Sequence, residues 1–194
     1  MFTGIITHLG TVTKKTNTRL TVATETQLVK LLTKGMSISV DGICLTVVSS
    51  KKDSFSIDFM PETAKKSNIN SLEAGSEVNL ELPATPTTLL AGHIVQGHVD
   101  AVGKITSIKP AGNSHIFAIT IPKELSKYIV DKGSISVNGI SLTVISITDN
   151  HFTIGIIPHT WEHTMLRSAK EGDHVNIEVD AIAKHIEKLV SAQK

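Results

Sequence analysis

Apolar residues along this chain alternate with polar ones in short bursts, and only near the end do they recur every three or four positions. The clearest burst, "SISVNGISLTVISI" at 134–147, sets Ile, Val and Leu against Ser and Thr around an Asn-Gly pair. That pattern suits two half-buried strands joined by a tight turn. Similar bursts predict strands at about 10–14, 19–24, 36–40, 43–49, 54–60 and 77–82, and the series recurs in the second half. Brief helical stretches near 25–32 and 62–67, repeated in the second half, would connect or plug the strands. Six short strands per half fit a small closed barrel, which leaves no unpaired edge. The fold class expected is all-β.

The halves share more than a rhythm. "DGICLTVV" at 41–48 and "NGISLTVI" at 138–145 are nearly one sentence, with Asp41 against Asn138, Cys44 against Ser141 and Thr46 against Thr143 at an offset of 97. The offset persists through Phe55 and Phe152, Pro61 and Pro158, Thr63 and Thr160, and "GSEVNLEL" against "GDHVNIEV". Toward each start it drops to 93, where "GIITHLGTV" meets "GHVDAVGKI", so four residues are inserted inside the second half. A period this long exceeds a solenoid unit and predicts two tandem domains from a duplication. We divide the chain into 1–90, 91–180 and a terminal segment 181–194, with a Pro/Thr-rich joint "PATPTT" at 83–88. In the terminal segment, Ile182, Ile186, Leu189 and Val190 follow Asp180 at helical spacing. Asp180 is a natural N-cap, and the apolar stripe has no counterpart in the first half and needs a partner; self-association is the candidate.

Composition narrows the functional classes. The 194 residues allow two domains that each bury a core. With 19 Lys plus Arg against 18 Asp plus Glu, scattered along the chain, there is no electrostatic footprint for nucleic acid or an anionic membrane. No apolar run approaches the roughly 18 residues of a membrane span. The start "MFTGIITHLG" has no signal-peptide pattern and the single cysteine, Cys44, cannot form an internal disulfide, so the expected location is cytoplasmic.

Four local signals are weak on their own. "HTWEH" at 159–163 matches a zinc-binding H-x-x-E-H, but the aligned first-half stretch is "ETAKK" and the third ligand would have to come from Glu171, Glu178 or Glu187. It reads as a solvated helical start, and no metal is expected. "GHIVQGHV" at 92–99 lacks the Lys and Ser/Thr that complete a phosphate loop. His93 and His98, five apart in an extended segment, point to opposite faces and read as turn histidines. Cys44 sits mid-strand with Ser141 as its counterpart, which favours a small buried polar residue over a thiolate nucleophile.

"MFTGII", "DGICLTV", "GHIVQGHVD", "NGISLTV" and "IPHTWEHT", in this order and in a duplicated frame, resemble the bacterial-type riboflavin synthases of the alpha-chain kind over essentially the whole chain. The resemblance implies two tandem six-stranded Greek-key barrels, a homotrimer held partly by the C-terminal helix, and no metal or redox cofactor. It also implies the reaction, in which two molecules of 6,7-dimethyl-8-ribityllumazine dismutate to riboflavin and 5-amino-6-ribitylaminouracil. Association with lumazine synthase is left open.

Carried over residue by residue, the resemblance places substrate contacts of the N-terminal barrel on Gly4, Ile5 and Ile6, on Cys44, Leu45 and Thr46, and on Asp58, Phe59, Met60, Pro61, Glu62 and Thr63. Those of the C-terminal barrel fall on Gly97, His98 and Val99, on Lys132, on Ser141, Leu142 and Thr143, and on Gly155, Ile156, Ile157, Pro158, His159 and Thr160. Candidate catalytic residues are His98 for proton transfer or to steer a nucleophile onto ring carbon 7, or as a plain second-barrel contact, Ser141 and Thr143 to bind and polarise the acceptor ring, Cys44 as a weak nucleophile or packing group, and Asp180 as a carboxylate or merely the helix cap. The active site implied is intermolecular, one subunit's N-terminal barrel facing a neighbour's C-terminal barrel. A non-catalytic lumazine- or flavin-binding protein of the same fold is the alternative; it should have lost polar residues in one half, whereas "GHIVQGHV" and "NGISLTV" stand complete. A flavin-dependent reductase would need an Arg-x-Tyr-Ser strand motif, but the only tyrosine lies in "SKYIV".

Overall fold

In the computed structural model, which describes residues 1–192, twelve strands form two closed antiparallel barrels. The first contains β1 (His8–Lys15), β2 (Arg19–Ala23), β3 (Ser37–Val40), β4 (Ile43–Ser50), β5 (Ser54–Asp58) and β6 (Glu77–Glu81), closing in the order β1-β2-β5-β4-β3-β6. The second contains β7 (Ala101–Ala111), β8 (Ser114–Thr120), β9 (Ser134–Val137), β10 (Ile140–Ile147), β11 (His151–Ile156) and β12 (His174–Val179) and closes by the same route. In each, three hairpin-linked strands lie between the strand that precedes them and the one that follows, a Greek-key path. Alternation decides the faces: Ile43, Leu45 and Val47 point into the core while Cys44, Thr46 and Val48 point outward. Phe55 and Phe152 take the same place in two separate cores.

The insertion lies at the tip of the β7–β8 hairpin. Thr11 pairs with Ala23 in the first barrel and Lys104 with Thr120 in the second, at offsets of 93 and 97, and β7–β8 then continues to a pair between Ala111 and Ser114. Helices are as expected with one exception. α1 (Thr26–Leu31) and α2 (Pro61–Lys66) occupy the first half, and α3 (Pro158–His163) repeats α2, but the counterpart of α1 is a 3₁₀ helix at Lys123–Tyr128. Strand β5 stops at Asp58, two residues earlier than the apolar pattern suggests, because Pro61 begins a helix.

The barrels meet turn against turn. Asp41–Gly42 and Asn138–Gly139 both have positive φ, the type I′ geometry that Asn-Gly and Asp-Gly favour. A Cβ on Gly139 would lie 2.7 Å from the Gly42 nitrogen, so only glycine fits there. Around the turns runs a buried amide network. The Asn79 side chain donates to the Asn138 carbonyl and that of Asn176 to the Asp41 carbonyl, at 2.9 and 2.8 Å, each reaching across to the other barrel. Asp41 accepts from the Asn79 backbone N–H at 2.8 Å and from the Asn68 amide at 3.4 Å.

Burial pushes the Asp41 carboxyl up to about 7. A folded-state value above the unfolded one means that the native chain keeps a proton which the unfolded chain releases, so this group's contribution falls as pH rises from about 4 to about 7. At about 1.4 kcal/mol per unit, the loss is at most about 4 kcal/mol. Asp41→Asn, which installs the residue found in the second turn, is expected to flatten that slope. Urea unfolding of both proteins at pH 5 and pH 8 reads it, and equal slopes would contradict the assignment.

The terminal helix α4 (Ala181–Ser191) is capped by Asp180, whose carboxylate accepts from the Ile182 N–H at 2.9 Å. It is pinned to its own barrel by Lys184, which donates to Asp100 at 2.9 Å, and by Glu187, which pairs with Lys127 and Tyr128. Its stripe, Ile182, Ile186, Leu189 and Val190, faces outward and is more than half exposed. No helix among the described residues is long and apolar enough to cross a membrane.

Candidate functional site

The repeated strand sentences need a partner that their own barrel does not supply. Cys44 opens the outer face of β4, and its backbone N–H donates to the Gly97 carbonyl at 2.9 Å. Ser141 opens β10, and its N–H donates to the Gly4 carbonyl at 2.8 Å. Both glycines have positive φ, and a Cβ on either would lie 2.6 Å from the Cβ of the residue it faces. The segments ahead of each barrel are therefore exchanged: Ile6 packs against the second core and Val99 against the first. Grouping Gly4–Ile6 with Cys44 and Gly97–Val99 with Ser141, as position in the chain suggests, is corrected by these contacts.

A buried carboxylate aims each exchanged segment. Glu81, at the end of β6, accepts from the backbone N–H groups of Thr3 and Gly4 at 2.7 and 3.0 Å and from the Thr3 hydroxyl at 2.7 Å. Glu178 on β12 does the same for Gln96, Gly97 and His98, at 2.6, 2.9 and 3.0 Å. Burial raises the pKa of both, against the hydrogen bonds and nearby positive charges that favour the ionised form. Sequence reasoning missed this pair. The signal was a glutamate retained in both copies of an otherwise apolar strand, "VNLEL" and "VNIEV".

Around Cys44 lies a cavity of about 200 Å³ lined by Ile43, Cys44, Glu62, Thr63, Lys66, Ser67 and Gly97–Val99. His98 thus belongs with Cys44 and Thr63, whereas Ser141 meets Gly4 and His93. The His93 ring is 9% exposed and its Nδ1 lies 2.7 Å from Ser141 Oγ. Thr46 and Thr143 are exposed on the outer faces, two residues along from Cys44 and Ser141. Leu45, Phe59, Leu142 and Ile156 are committed to the cores and can offer only backbone to a ligand. Met60 and Ile157 are exposed just ahead of α2 and α3, and Pro61 and Pro158 open those helices. Asp58 is engaged by Arg19 through two hydrogen bonds of 2.6 and 3.0 Å, which hold its carboxyl below the usual range; its counterpart, Gly155, has no side chain. Lys132, with positive φ at the place of Gly35, sits at the far end of β10, its N–H donating to the Val144 carbonyl.

On α3, His159 and His163 stack at 4.3 Å, and His163 Nδ1 lies 2.8 Å from the His159 carbonyl. Among the described residues no group of three or more His, Cys, Asp or Glu is placed to hold a metal.

The site is thus built twice, around Cys44, where the cavity lies, and around Ser141, each met by a segment from the other half of the chain and differing in the polar residue at its centre. Both halves match the lumazine binding domain, at residues 3–83 and 96–180. The chain is 43% identical over 198 residues to riboflavin synthase of Mycobacterium bovis, covering 98% of each chain. It is 40% identical to the riboflavin synthases of Actinobacillus pleuropneumoniae, covering 98% of this chain and 90% of that one, and of Saccharomyces cerevisiae, covering 98% and 86%. In structure it resembles LumP complexed with riboflavin, with a TM-score of 0.85 and 27% identity over 92% of this chain and 99% of that one. LumP complexed with 6,7-dimethyl-8-(1'-D-ribityl) lumazine matches with a TM-score of 0.83 and 26% identity over the same shares.

Proposed function

The chain belongs to the lumazine-binding domain family, and from its 40–43% identity to riboflavin synthases over 98% of its length we propose that it catalyses the dismutation of two molecules of 6,7-dimethyl-8-ribityllumazine to riboflavin and 5-amino-6-ribitylaminouracil. The observation that carries the reading is the duplicated site, Cys44 met by Gly97 and Ser141 met by Gly4, which we read as two rotation-related half-pockets. A reaction between two copies of one compound needs two sites of the same shape, and duplication supplies them. It also needs the sites to differ, since one substrate gives up a four-carbon unit that the other takes. Cys44 against Ser141, Glu62 against His159 and Asp58 against Gly155 are such differences. The atoms balance with no oxidant or reductant, so the protein's task is to hold two ring systems face to face, which removes a large entropic barrier.

Within each half-pocket, the exposed Thr46 or Thr143 and the backbone beside Cys44 or Ser141 supply fixed donors and acceptors for the pyrimidinedione rim. His98, which lines the Cys44 cavity, moves the proton of a bound lumazine's 7-methyl group in this reading. A cavity of about 200 Å³ is too small to enclose two such molecules. The complete site therefore forms where one subunit's Cys44 pocket faces a neighbour's Ser141 pocket, in a homotrimer whose contacts include the apolar face of α4. That arrangement brings His98 of one subunit toward Ser141 and Thr143 of the next. The enzyme acts in the cytoplasm. Asp180 serves as the helix cap.

Chelator-treated protein given the lumazine alone is expected to form riboflavin, read by its absorbance, at the rate of untreated protein. Loss of activity restored by zinc would overturn the reading and return "HTWEH" to consideration.

A further inference from the structure

One polar contact falls outside the duplicated frame. His93 lies between the two matched segments, 3–83 and 96–180, so it belongs to neither copy. Antiparallel pairing of the segment between these ranges, 84–95, with the N-terminal segment carries it to the second site: Phe2 and Val95 exchange backbone hydrogen bonds, and the His93 N–H donates to the Thr3 carbonyl at 3.2 Å. Gly92 permits the approach, since a Cβ there would collide with the Thr3 carbonyl oxygen and lie 2.8 Å from Ser141 Cβ. The imidazole ends buried, with Nδ1 2.7 Å from Ser141 Oγ and Nε2 without a hydrogen-bond partner among the described residues. Cys44 occupies the related place in the first site, and its cavity is lined by residues of the two repeats and by none of 84–95.

We propose that His93 is a positioning residue that fixes the Ser141 hydroxyl, and that this contact, made at one half-pocket only, gives the two bound lumazines their different roles. The inference rests on reading both half-pockets as lumazine sites. Burial pushes the imidazole pKa down, against the pull of the Asp180 charge, so the ring is neutral at physiological pH and offers one donor and one acceptor nitrogen. In either tautomer, the bond to Nδ1 uses one hydrogen-bonding direction of the hydroxyl and leaves the rest for a ligand. A hydroxyl that would otherwise rotate is set in one orientation toward the ring bound there. The thiol of Cys44 has no such constraint and is the weaker hydrogen-bonding group.

His93→Phe keeps ring volume in the buried slot and removes the bond; His93→Asn returns an amide near the position of Nδ1. His93→Phe is expected to lower kcat roughly 10- to 100-fold, with lumazine affinity within about threefold, and His93→Asn to recover most of the rate. Combined with Ser141→Ala, His93→Phe should cost nothing further, because the group it acts through is gone. Combined with Cys44→Ala, it should cost its full factor. An equal loss with and without Ser141, or an unchanged rate, would overturn the proposal. Should His93→Phe fail to fold, His93→Gln replaces it, since its amide reaches toward Nε2 rather than Nδ1. Asn active and Gln impaired supports the proposal, and the two behaving alike overturns it. Unmodified protein that makes no riboflavin overturns the functional reading and this proposal together, whereas active unmodified protein with His93→Phe unimpaired overturns this proposal alone.

Discussion

Glu178→Gln is expected to lower turnover about 10- to 100-fold while leaving a folded protein whose melting point drops by several degrees. The carboxylate accepts three backbone N–H groups from Gln96, Gly97 and His98, and an amide offers one oxygen where two are used. At least one buried N–H then loses its acceptor, at about 1–3 kcal/mol, and about 1 kcal/mol shifts the midpoint of a chain this size by about 2–4 °C. The larger effect is geometric, because the same segment sets Gly97 against Cys44 and His98 into the cavity. Protonation of Glu178 or Glu81 imitates the substitution. Since burial has raised both values, the acid limb of the rate profile should lie above the ordinary carboxylate range, and the Gln variant should lose the part that Glu178 contributes. Rates between pH 4 and 7 and a melting curve decide the matter. A lowered melting point with unchanged turnover would make the clamp purely structural.

Deleting residues 182–194 should cost more. The stripe of Ile182, Ile186, Leu189 and Val190 lies uncovered on a helix that is itself pinned to its barrel by Lys184–Asp100 and by Glu187. Without it each barrel still closes on its own core, since both barrels end before the helix begins. The expected product is a folded monomer with turnover reduced at least about 100-fold, because neither half-pocket then meets its complement. Sedimentation and a rate measurement on the same sample give the outcome. A truncated chain that stays trimeric would contradict the role given to α4 in assembly, and a monomer with full turnover would contradict an intermolecular site.

Much of the fold could be read in the chain because its signals are local. Period-two alternation locates the strands, Asp41–Gly42 and Asn138–Gly139 locate the turns, and the change of offset from 97 to 93 locates the hairpin insertion. The exchange of the leading segments had no local signal. It depends on Glu81 meeting Thr3 and Gly4, and on Glu178 meeting Gln96 to His98, contacts between residues 77 to 82 apart in the chain. His98 therefore joins Cys44, though the chain places it in the half that holds Ser141. His93, read alone, is a turn histidine; only the pairing of Phe2 with Val95 shows that it reaches Ser141. The 3₁₀ helix at Lys123–Tyr128 shows where duplication predicts too much, since the copy keeps the position but loses the α-helical geometry.

Dismutation requires two lumazines to react with each other and with nothing else. Purified protein supplied with 6,7-dimethyl-8-ribityllumazine as the sole organic reactant, followed to completion with all three compounds quantified, tests that directly. The expected result is one riboflavin and one 5-amino-6-ribitylaminouracil for every two lumazines consumed, with no added cofactor. Lumazine that is bound but not consumed, or riboflavin formed in any other ratio, would contradict it.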